Sequence, residues 1–393
     1  MKESFSRVTL IVIDSLGIGA LPDAADYRDE EANTFAHIVS SYPGIDLPNL
    51  SSLGIFNIDG LGSIGRSLSE TIGTYCRVGE ASKGKDTITG HWEIAGLRTD
   101  IPFLTFEQFP AEFMEKFEEA IGIGTLGNYA ASGTEIIEIL GPEHESTGKP
   151  IIYTSNDSVF QIAANTAVIP LERLYEICET ARTMLQGPML VGRVIARPYE
   201  MQDGKRVRTS DRKDYAVAPP EPTLLDNVIM SGLDVISIGK IHDIFAGSGT
   251  GTSIHTDDNA DGCIKTVEAM KSKSNGLIFT NLVDFDSKFG HRRDAAGYAQ
   301  ALERFDNELP DIMSVLRNDE ILMLCADHGN DPVHRGFDHT REYIPLLVYG
   351  NNIIENKNLG TRNTFADIGQ TIAEALGVPP IPTGNSFLQE ITK

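Results

Sequence analysis

A chain of 393 residues has room for two or three structural units, and 41% hydrophobic against 23% charged residues is the balance of a globular protein. With 33 Lys and Arg against 56 Asp and Glu, the net charge of −23 argues against a general nucleic-acid binder or a protein held on anionic lipid, because both need surplus cations to neutralise phosphates. Small anionic substrates stay open, since one cleft can be positive on an acidic protein.

The first predicted element, Val8–Ile13, is an unbroken apolar, β-rich run ending in Asp14-Ser15 and then Gly17-Ile-Gly19. A run without alternation suits a central strand covered on both faces. Next, Ser82-Lys-Gly-Lys-Asp86-Thr87-Ile-Thr89-Gly90-His91-Trp92-Glu93 sets hydroxyls in a glycine-containing loop before a helix, whose N-terminus favours phosphate. Spacing alone leaves Ser82, Thr87 and Thr89 as equal candidates for a nucleophile. A helical pattern over Ala111–Ala120 precedes Gly122-Ile-Gly124-Thr-Leu-Gly127, which spells a dinucleotide fingerprint but lacks the strand that should lead into it, so it reads as a helix stop and loop.

Further apolar runs occur at Asp234–Ile238, Leu277–Val283, Ile321–Cys325 and Ile344–Tyr349. Helical patterns lie between and after them, at Ala295–Leu316 and at Thr364–Leu376, which stops at Gly377. The Asp257–Glu268 segment fits a calcium-loop pattern, but the Gly-, Ser- and Thr-rich Phe245–Thr256 offers no entering helix. Asp261 is instead expected to cap a helix from about Gly262 to Lys271.

Strands alternating with helices predict an α/β architecture, and polar residues following the strands' C-terminal ends mark where such sheets bind ligands. One sheet uniting both ends of the chain leaves the middle as an insertion. The Ile101-Pro102 step and the stiff Ala218-Pro-Pro-Glu-Pro222 connector put the core at 1–100 and 220–393 and a cap at 101–219. The cap carries a basic stretch, Arg193, Arg197, Lys205, Arg206, Arg208, Arg212 and Lys213 against Glu200, Asp203 and Asp211.

No apolar run approaches the roughly 20 residues of a membrane span, and the opening MKESFSRVTL lacks the features of a secretory leader. Cys76, Cys178, Cys263 and Cys325 are scattered without a Cys-x-x-Cys pair and read as reduced, buried thiols of a cytoplasmic protein. The triplets Asn49–Ser51 and Asn156–Ser158 are then chance glycosylation matches. Neither a nucleic acid nor a membrane is expected as a partner, and nothing in the sequence identifies a protein partner.

The chemistry concentrates between positions 286 and 339. Asp286, His291, Asp327, His328 and His339 lie there with His334 and Asp338, so four of the nine histidines share one window. Mixed carboxylate and imidazole ligands suit Mn²⁺, Zn²⁺ or Fe²⁺, and the absence of thiolate disfavours a structural zinc. Asp14 brings the set to six, enough for two divalent ions clamping a phosphoryl group.

Together, Asp14-Ser-Leu-Gly-Ile-Gly19, Gly84-Lys-Asp-Thr87-Ile-Thr-Gly-His-Trp-Glu93, Val283-Asp-Phe-Asp286 with Gly290-His-Arg-Arg293, Ala326-Asp-His-Gly-Asn-Asp331 and Asp338-His-Thr-Arg-Glu342 resemble the phosphopentomutase family of the alkaline phosphatase superfamily. The likeness extends into the insertion, through Tyr153-Thr-Ser-Asn-Asp157-Ser and Val191-Gly-Arg-Val-Ile-Ala-Arg197-Pro. The Asp-His-Gly-Asn motif marks only the superfamily, whereas the Thr87 loop and the insertion narrow it to the mutases.

The resemblance implies an alkaline-phosphatase-like core, with a mostly parallel sheet flanked by helices, and an inserted α+β cap. It implies that Thr87 is phosphorylated in the active enzyme. Asp14, Asp327 and His328 would hold one Mn²⁺, and Asp286, His291 and His339 the other. Ser155, Asp157, Arg193 and Arg208 of the cap and Lys240 of the core would meet a pentose phosphate, with a sugar bisphosphate as priming activator. The implied reaction interconverts α-D-ribose 1-phosphate and D-ribose 5-phosphate, and their 2-deoxy equivalents. A related two-metal phosphatase or phosphoglycerate mutase, or a catalytically silent metal-binding protein, are the alternatives.

Overall fold

The computed structural model describes residues 5–61, 64, 66–155 and 158–393. In chain order the strands are β1 (Arg7–Ile13), β2 (Thr74–Val78), β3 (Leu126–Ala130), β4 (Ile151–Thr154), β5 (Val159–Asn165), β6 (Arg193–Gln202), β7 (Lys205–Arg208), β8 (Lys213–Ala216), β9 (Asp234–Ile238), β10 (Thr252–Ile254), β11 (Gly276–Leu282), β12 (Glu320–Cys325), β13 (Ile344–Tyr349) and β14 (Lys357–Arg362). They fall into two compact units, Met1–Pro102 with Pro219–Lys393, and Phe103–Ala218.

The first unit is built on an eight-stranded sheet in the order β10-β9-β11-β1-β12-β13-β2-β14. Only β13 runs against the rest, pairing antiparallel with β12 and β2, so the sheet is mostly parallel. Every residue of β1, β11 and β12 is buried, which explains why these strands read as unbroken apolar runs. Helices Leu224–Met230, Asn259–Lys271 and Ala366–Leu376 pack on the sheet, and Ala295–Ser314 packs on Asn259–Lys271.

Register decides what this sheet can present. Ile13 pairs with Leu282 of β11, and Val12 with Cys325 of β12, so three adjacent parallel strands end level with one another. Asp14 leaves the end of β1 directly. Asp286 follows β11 within a single π-turn, Phe285–Gly290, and Asp327 follows β12 by two residues. The carboxylates gather at one sheet edge because the register puts them there.

The second unit has its own mixed sheet, β3-β4-β5-β6-β7, with β8 paired to β6. Helices Ala111–Ile121 and Leu171–Met184 close an apolar core of Phe109, Phe113, Phe117, Phe160, Leu174 and Val194. Gly122, at φ 72°, ends the first of these helices, and its N–H bonds back toward Glu119. The apparent dinucleotide fingerprint is thus a helix stop leading into β3. No helix among the described residues is long and apolar enough to cross a membrane.

One expectation needs correcting. The helix over Asn259–Lys271 is capped by Asp258, whose carboxylate accepts the Asp261 N–H, and not by Asp261. Asp261 sits inside the first turn, accepting from the Asp257 N–H and from Lys265. A strand, β10, precedes this loop where a calcium-binding hand needs a helix.

Candidate functional site

Two clusters of ligand-type side chains meet at the C-terminal edge of the first unit's sheet. Asp14, Asp327 and His328 each place one ligating atom within 4.8 Å of the other two, and so do Asp286, His291 and His339. The His328 and His339 rings, one from each cluster, have centroids 4.0 Å apart. All six residues are buried except His291, which is half-buried.

Backbone and neighbouring side chains hold the first cluster. Ser15 has φ 67°, a left-handed conformation unusual for a residue with a Cβ, and it turns its N–H onto Asp327 Oδ1 at 3.1 Å. Asn281, the penultimate residue of β11, donates to Asp14 Oδ2 at 2.7 Å. His91 lies fully buried with Nδ1 2.9 Å from the Thr87 carbonyl and 3.1 Å from Asp327 Oδ2. In the second cluster Asn330 donates to Asp286 Oδ1 at 2.7 Å, while Arg293 donates to the amide oxygen of Asn330 at 2.8 Å.

The electrostatics are those of a cation site. Burial drives the Asp14 carboxyl well above its ordinary range, and the Asp327 and Asp286 carboxylates push it further. Burial also works against ionisation of Asp286, but the His339 and His291 rings outweigh it and hold that carboxyl low. For Asp327 the His328 and His91 rings likewise prevail over burial. Burial lowers His328 toward the neutral imidazole that can ligate. Asp14 Oδ1 is buried and receives no hydrogen bond among the described residues, and the buried Asp327 Oδ2 meets only the His91 and His328 ring nitrogens, at 3.1 and 3.3 Å. Buried carboxylate oxygens without donors are costly, and a divalent cation removes that cost. The residues fit the metal.

The structure separates the three candidate hydroxyls. Helix Thr87–Ile94 is capped by Asp86, which accepts the N–H groups of Ile88 and Thr89 and also bonds the Thr89 hydroxyl at 2.7 Å. Thr89 is fully buried, as is Ser82, whose oxygen accepts the Thr99 N–H. Thr87, at the first helical position, is half-buried, and its Oγ1 lies 3.1 Å from His328 Nε2. The Asp86 cap takes the Ile88 and Thr89 N–H donors that the sequence offered to a phosphate; what the helix start adds beside Thr87 is mainly its dipole.

The loop leading to Thr87 is clamped by charged residues of the Gly84–Glu93 and Asp338–Glu342 motifs to which the sequence assigned no role, together with Asp23, Asp29 and Glu80 outside them. Arg341, fully buried, donates to the Gly84 carbonyl and to Glu80, both at 2.7 Å, and forms a two-point pair with Asp23. Glu93 accepts the N–H groups of Ala81 and Ser82, and Lys85 bridges Asp29 and Asp338. Their signal in the sequence was a charged residue inside an otherwise apolar or glycine-rich stretch. Its partners lie too far along the chain to be inferred.

Gly90 sets the distance between helix and ligand loop. A Cβ there would stand 2.0 Å from the Asp327 carbonyl oxygen and 2.8 Å from its carbon, and neither backbone can yield cheaply. Gly90→Ala is therefore expected to shift Thr87 relative to His328, lowering kcat about 100-fold, the cost of a roughly 1 Å misplacement. Steady-state kinetics check this, with a lowered melting temperature alongside.

Of the remaining predicted site residues, Lys240 precedes the short helix Ile241–Ile244, and its ammonium contacts Asp243 at 3.0 Å. In the second unit Arg193 begins β6, 3.7 Å from Asp214, and Arg208 ends β7, donating to the buried Tyr153 hydroxyl at 3.4 Å. Ser155 follows β4 and is half-buried. Asp157 lies outside the described residues. The basic stretch is largely paired: Arg206 bonds Glu138 and Glu145, and Arg212 bonds Asp214. Arg208 differs, because its buried Nε has no acceptor among the described residues.

Comparison with known proteins bears on the same residues. The metalloenzyme superfamily pattern matches residues 6–380. A phosphopentomutase of Acetivibrio thermocellus is 53% identical over 386 residues, covering 98% of this chain and 99% of its own. One of Clostridioides difficile is 53% identical over 97% of this chain and 98% of its own, and one of Clostridium novyi 51% over 99% and 100%.

Proposed function

The chain belongs to the phosphopentomutase family of the metalloenzyme superfamily, and on that premise we propose that it interconverts α-D-ribose 1-phosphate and D-ribose 5-phosphate, with their 2-deoxy equivalents, through phosphorylated Thr87. The enzyme is a metal-dependent pentose phosphate mutase. One observation carries the choice of nucleophile: of the three hydroxyls in the loop, Thr87 Oγ1 alone borders a ligand cluster, 3.1 Å from His328.

Asp14, Asp327 and His328 would hold one divalent cation and Asp286, His291 and His339 a second. Bound there, the cations, which we take to be Mn²⁺, offset the charge of a phosphoryl group in transfer. Thr87 carries the phosphoryl group and gives it to a free hydroxyl of the sugar phosphate. The Thr87 oxygen–phosphorus bond breaks as the sugar oxygen–phosphorus bond forms, and the proton of the sugar hydroxyl ends on the departing Thr87 oxygen. The resulting bisphosphate turns, and the Thr87 oxygen recovers the other phosphoryl group. A sugar bisphosphate primes unphosphorylated enzyme by the same transfer in reverse. Water must be kept from phospho-Thr87 throughout, which gives the inserted unit a purpose as a cap.

We assign sugar-phosphate binding to Ser155, Asp157, Arg193 and Arg208 of the inserted unit and to Lys240 of the core. The unpartnered Nε of Arg208 supports its place in that set, since a buried guanidinium nitrogen calls for an anion. Lysine cannot reproduce the two-point grip of arginine. Arg208→Lys should raise KM for ribose 5-phosphate about tenfold with Mn²⁺ affinity unchanged, read by kinetics and by calorimetric titration. Unaltered kinetics would return Arg208 to a structural role. Four buried, unpaired cysteines suit a reducing, cytoplasmic compartment.

The deciding experiment is a mutase assay with Mn²⁺ and a catalytic amount of sugar bisphosphate, comparing ribose 5-phosphate, phosphoglycerate and a chromogenic phosphate ester. Turnover of the pentose phosphate alone supports the proposal. Preference for phosphoglycerate, or net hydrolysis of the ester, would replace it with a neighbouring activity of the superfamily.

A further inference from the structure

Glu342 is a fully buried carboxylate that neither ligand cluster includes, and among the described residues no cation pairs with it. Its charge is met by hydrogen bonds alone. Oε2 accepts the Gly19 N–H at 3.0 Å and the Thr34 N–H at 2.9 Å, while Oε1 accepts the Thr34 and Thr340 hydroxyls, each at 2.6 Å. Burial pushes this carboxyl up to about 7 despite the four donors.

Two of the four bonds come from Thr34, at the start of the helix Thr34–Ser41, which carries no ligand; the other two partners, Gly19 and Thr340, and the packed Gly329 belong to loops that carry ligands. Gly19 lies in the loop that begins with Asp14. Gly329 follows His328, and Thr340 follows His339; the two are bridged by paired backbone hydrogen bonds. Room for the carboxylate is made by two glycines of these same loops. A Cβ on Gly17 would stand 2.4 Å from Glu342 Oε2, and one on Gly329 would stand 2.4 Å from Oε1. Glu342 is itself bridged to Ala20, and Tyr343 exchanges backbone hydrogen bonds with Ile18 and Gly19. One carboxylate is thereby wedged between the loops of Asp14, of His328 and of His339, which serve both clusters.

We propose that Glu342 is a positioning residue that sets the spacing between the two metal clusters by tying the Asp14 loop to the segment bearing His339. This rests on the metal assignment made above. All four groups that bond it, from Gly19, Thr34 and Thr340, donate, so the position calls for a group that only accepts. A glutamine can keep its oxygen toward the two N–H groups, but its amide then faces the two hydroxyls. Thr340 Oγ1 already takes the Asp331 N–H at 3.2 Å, so in Glu342→Gln its proton is left without the acceptor it had. The loss falls on the Thr340 side, next to His339.

The test is calorimetric titration of metal-free enzyme with Mn²⁺ for wild type, Glu342→Gln, Thr340→Val and Thr340→Ser, with melting temperatures taken in EDTA. Wild type should bind two ions. Glu342→Gln and Thr340→Val should each weaken one of them by at least about tenfold, the usual effect of removing a group that orients a ligand, with melting in EDTA little changed. Thr340→Ser, which restores the hydroxyl, should restore wild-type affinity. Thr340→Val keeps the test alive if Glu342→Gln fails to fold. Unchanged Mn²⁺ affinity in the folded variants, or equal weakening of both ions together with a fall in melting temperature, would overturn the positioning role. If wild type does not bind two ions, the metal assignment itself fails, an outcome these variants do not produce.

Discussion

Thr87→Val should leave the fold and Mn²⁺ binding intact and remove turnover of ribose 5-phosphate, by at least about 10⁴-fold, the scale of losing a nucleophile. Valine matches threonine in shape and branching, and Thr87 sits at the first helical position, where the cap comes from Asp86 rather than from Thr87 itself. The side-chain contact removed is the 3.1 Å approach to His328 Nε2. Peptide mass spectrometry after incubation with a sugar bisphosphate and Mn²⁺ should find phosphate on Thr87 in wild type and none in the variant. Ribose 5-phosphate should discharge it faster than water does, which separates a mutase from a phosphatase. Phosphate on Ser82 or Thr89 would require each to give up the partner that now holds it, the Thr99 N–H and the Asp86 carboxylate. Persisting isomerisation by Thr87→Val with no phosphoprotein would end the covalent mechanism.

What the sequence disclosed about this site follows from how each residue is held. Asp14, Asp327 and Asp286 follow strands whose burial on both faces makes them unmistakable as apolar runs, so the sheet edge could be found before the sheet itself was known. Histidines in one short window added the ligand chemistry. The choice among Ser82, Thr87 and Thr89 was not local information: it depends on which hydroxyl borders His328, 241 positions away. Reading the residues' spacing left that choice open, and only the family resemblance pointed to Thr87. His91, Arg341 and Glu342 lie within the family motifs but were given no role there, and Asn281 lies within none; all four were illegible for the same reason. Each acts through partners that the β1–β11–β12 register and the crossing of distant loops bring together, and a lone polar residue in a buried stretch does not say what it faces. The misplaced cap at Asp261 was a smaller failure of the same kind. Asp257, Asp258 and Asp261 all suit a helix start, and only the backbone path shows that Asp258 takes the role.

Asp14→Asn should change stability in opposite directions with and without metal. In EDTA the Asp14 carboxyl is raised well above its ordinary value, by burial first and then by Asp327 and Asp286. A group raised in this way contributes stability that is fully present below the unfolded carboxyl range and is lost as pH rises through the folded value. Wild type and variant should therefore melt alike near pH 4, and the variant should melt increasingly higher as the pH is raised toward 8. Each pKa unit of elevation is worth about 1.4 kcal/mol, or roughly 2 °C in a chain of 393 residues. Asparagine keeps an oxygen for the Asn281 amide, now 2.7 Å from Asp14 Oδ2, and puts a neutral amide nitrogen in place of the undonated, charged Oδ1. Addition of Mn²⁺ should reverse the order. At a hundred times the dissociation constant a ligand stabilises the folded state by about 2.7 kcal/mol, and the variant forgoes that gain at this site because a neutral amide is a poor ligand for a hard cation. Scanning calorimetry in EDTA and in excess Mn²⁺ across this pH range is the measurement. If Asp14→Asn melts below wild type in EDTA and shares its full Mn²⁺ shift, the carboxylates at the end of β1 and β12 are an ordinary buried polar cluster, and the cation belongs elsewhere.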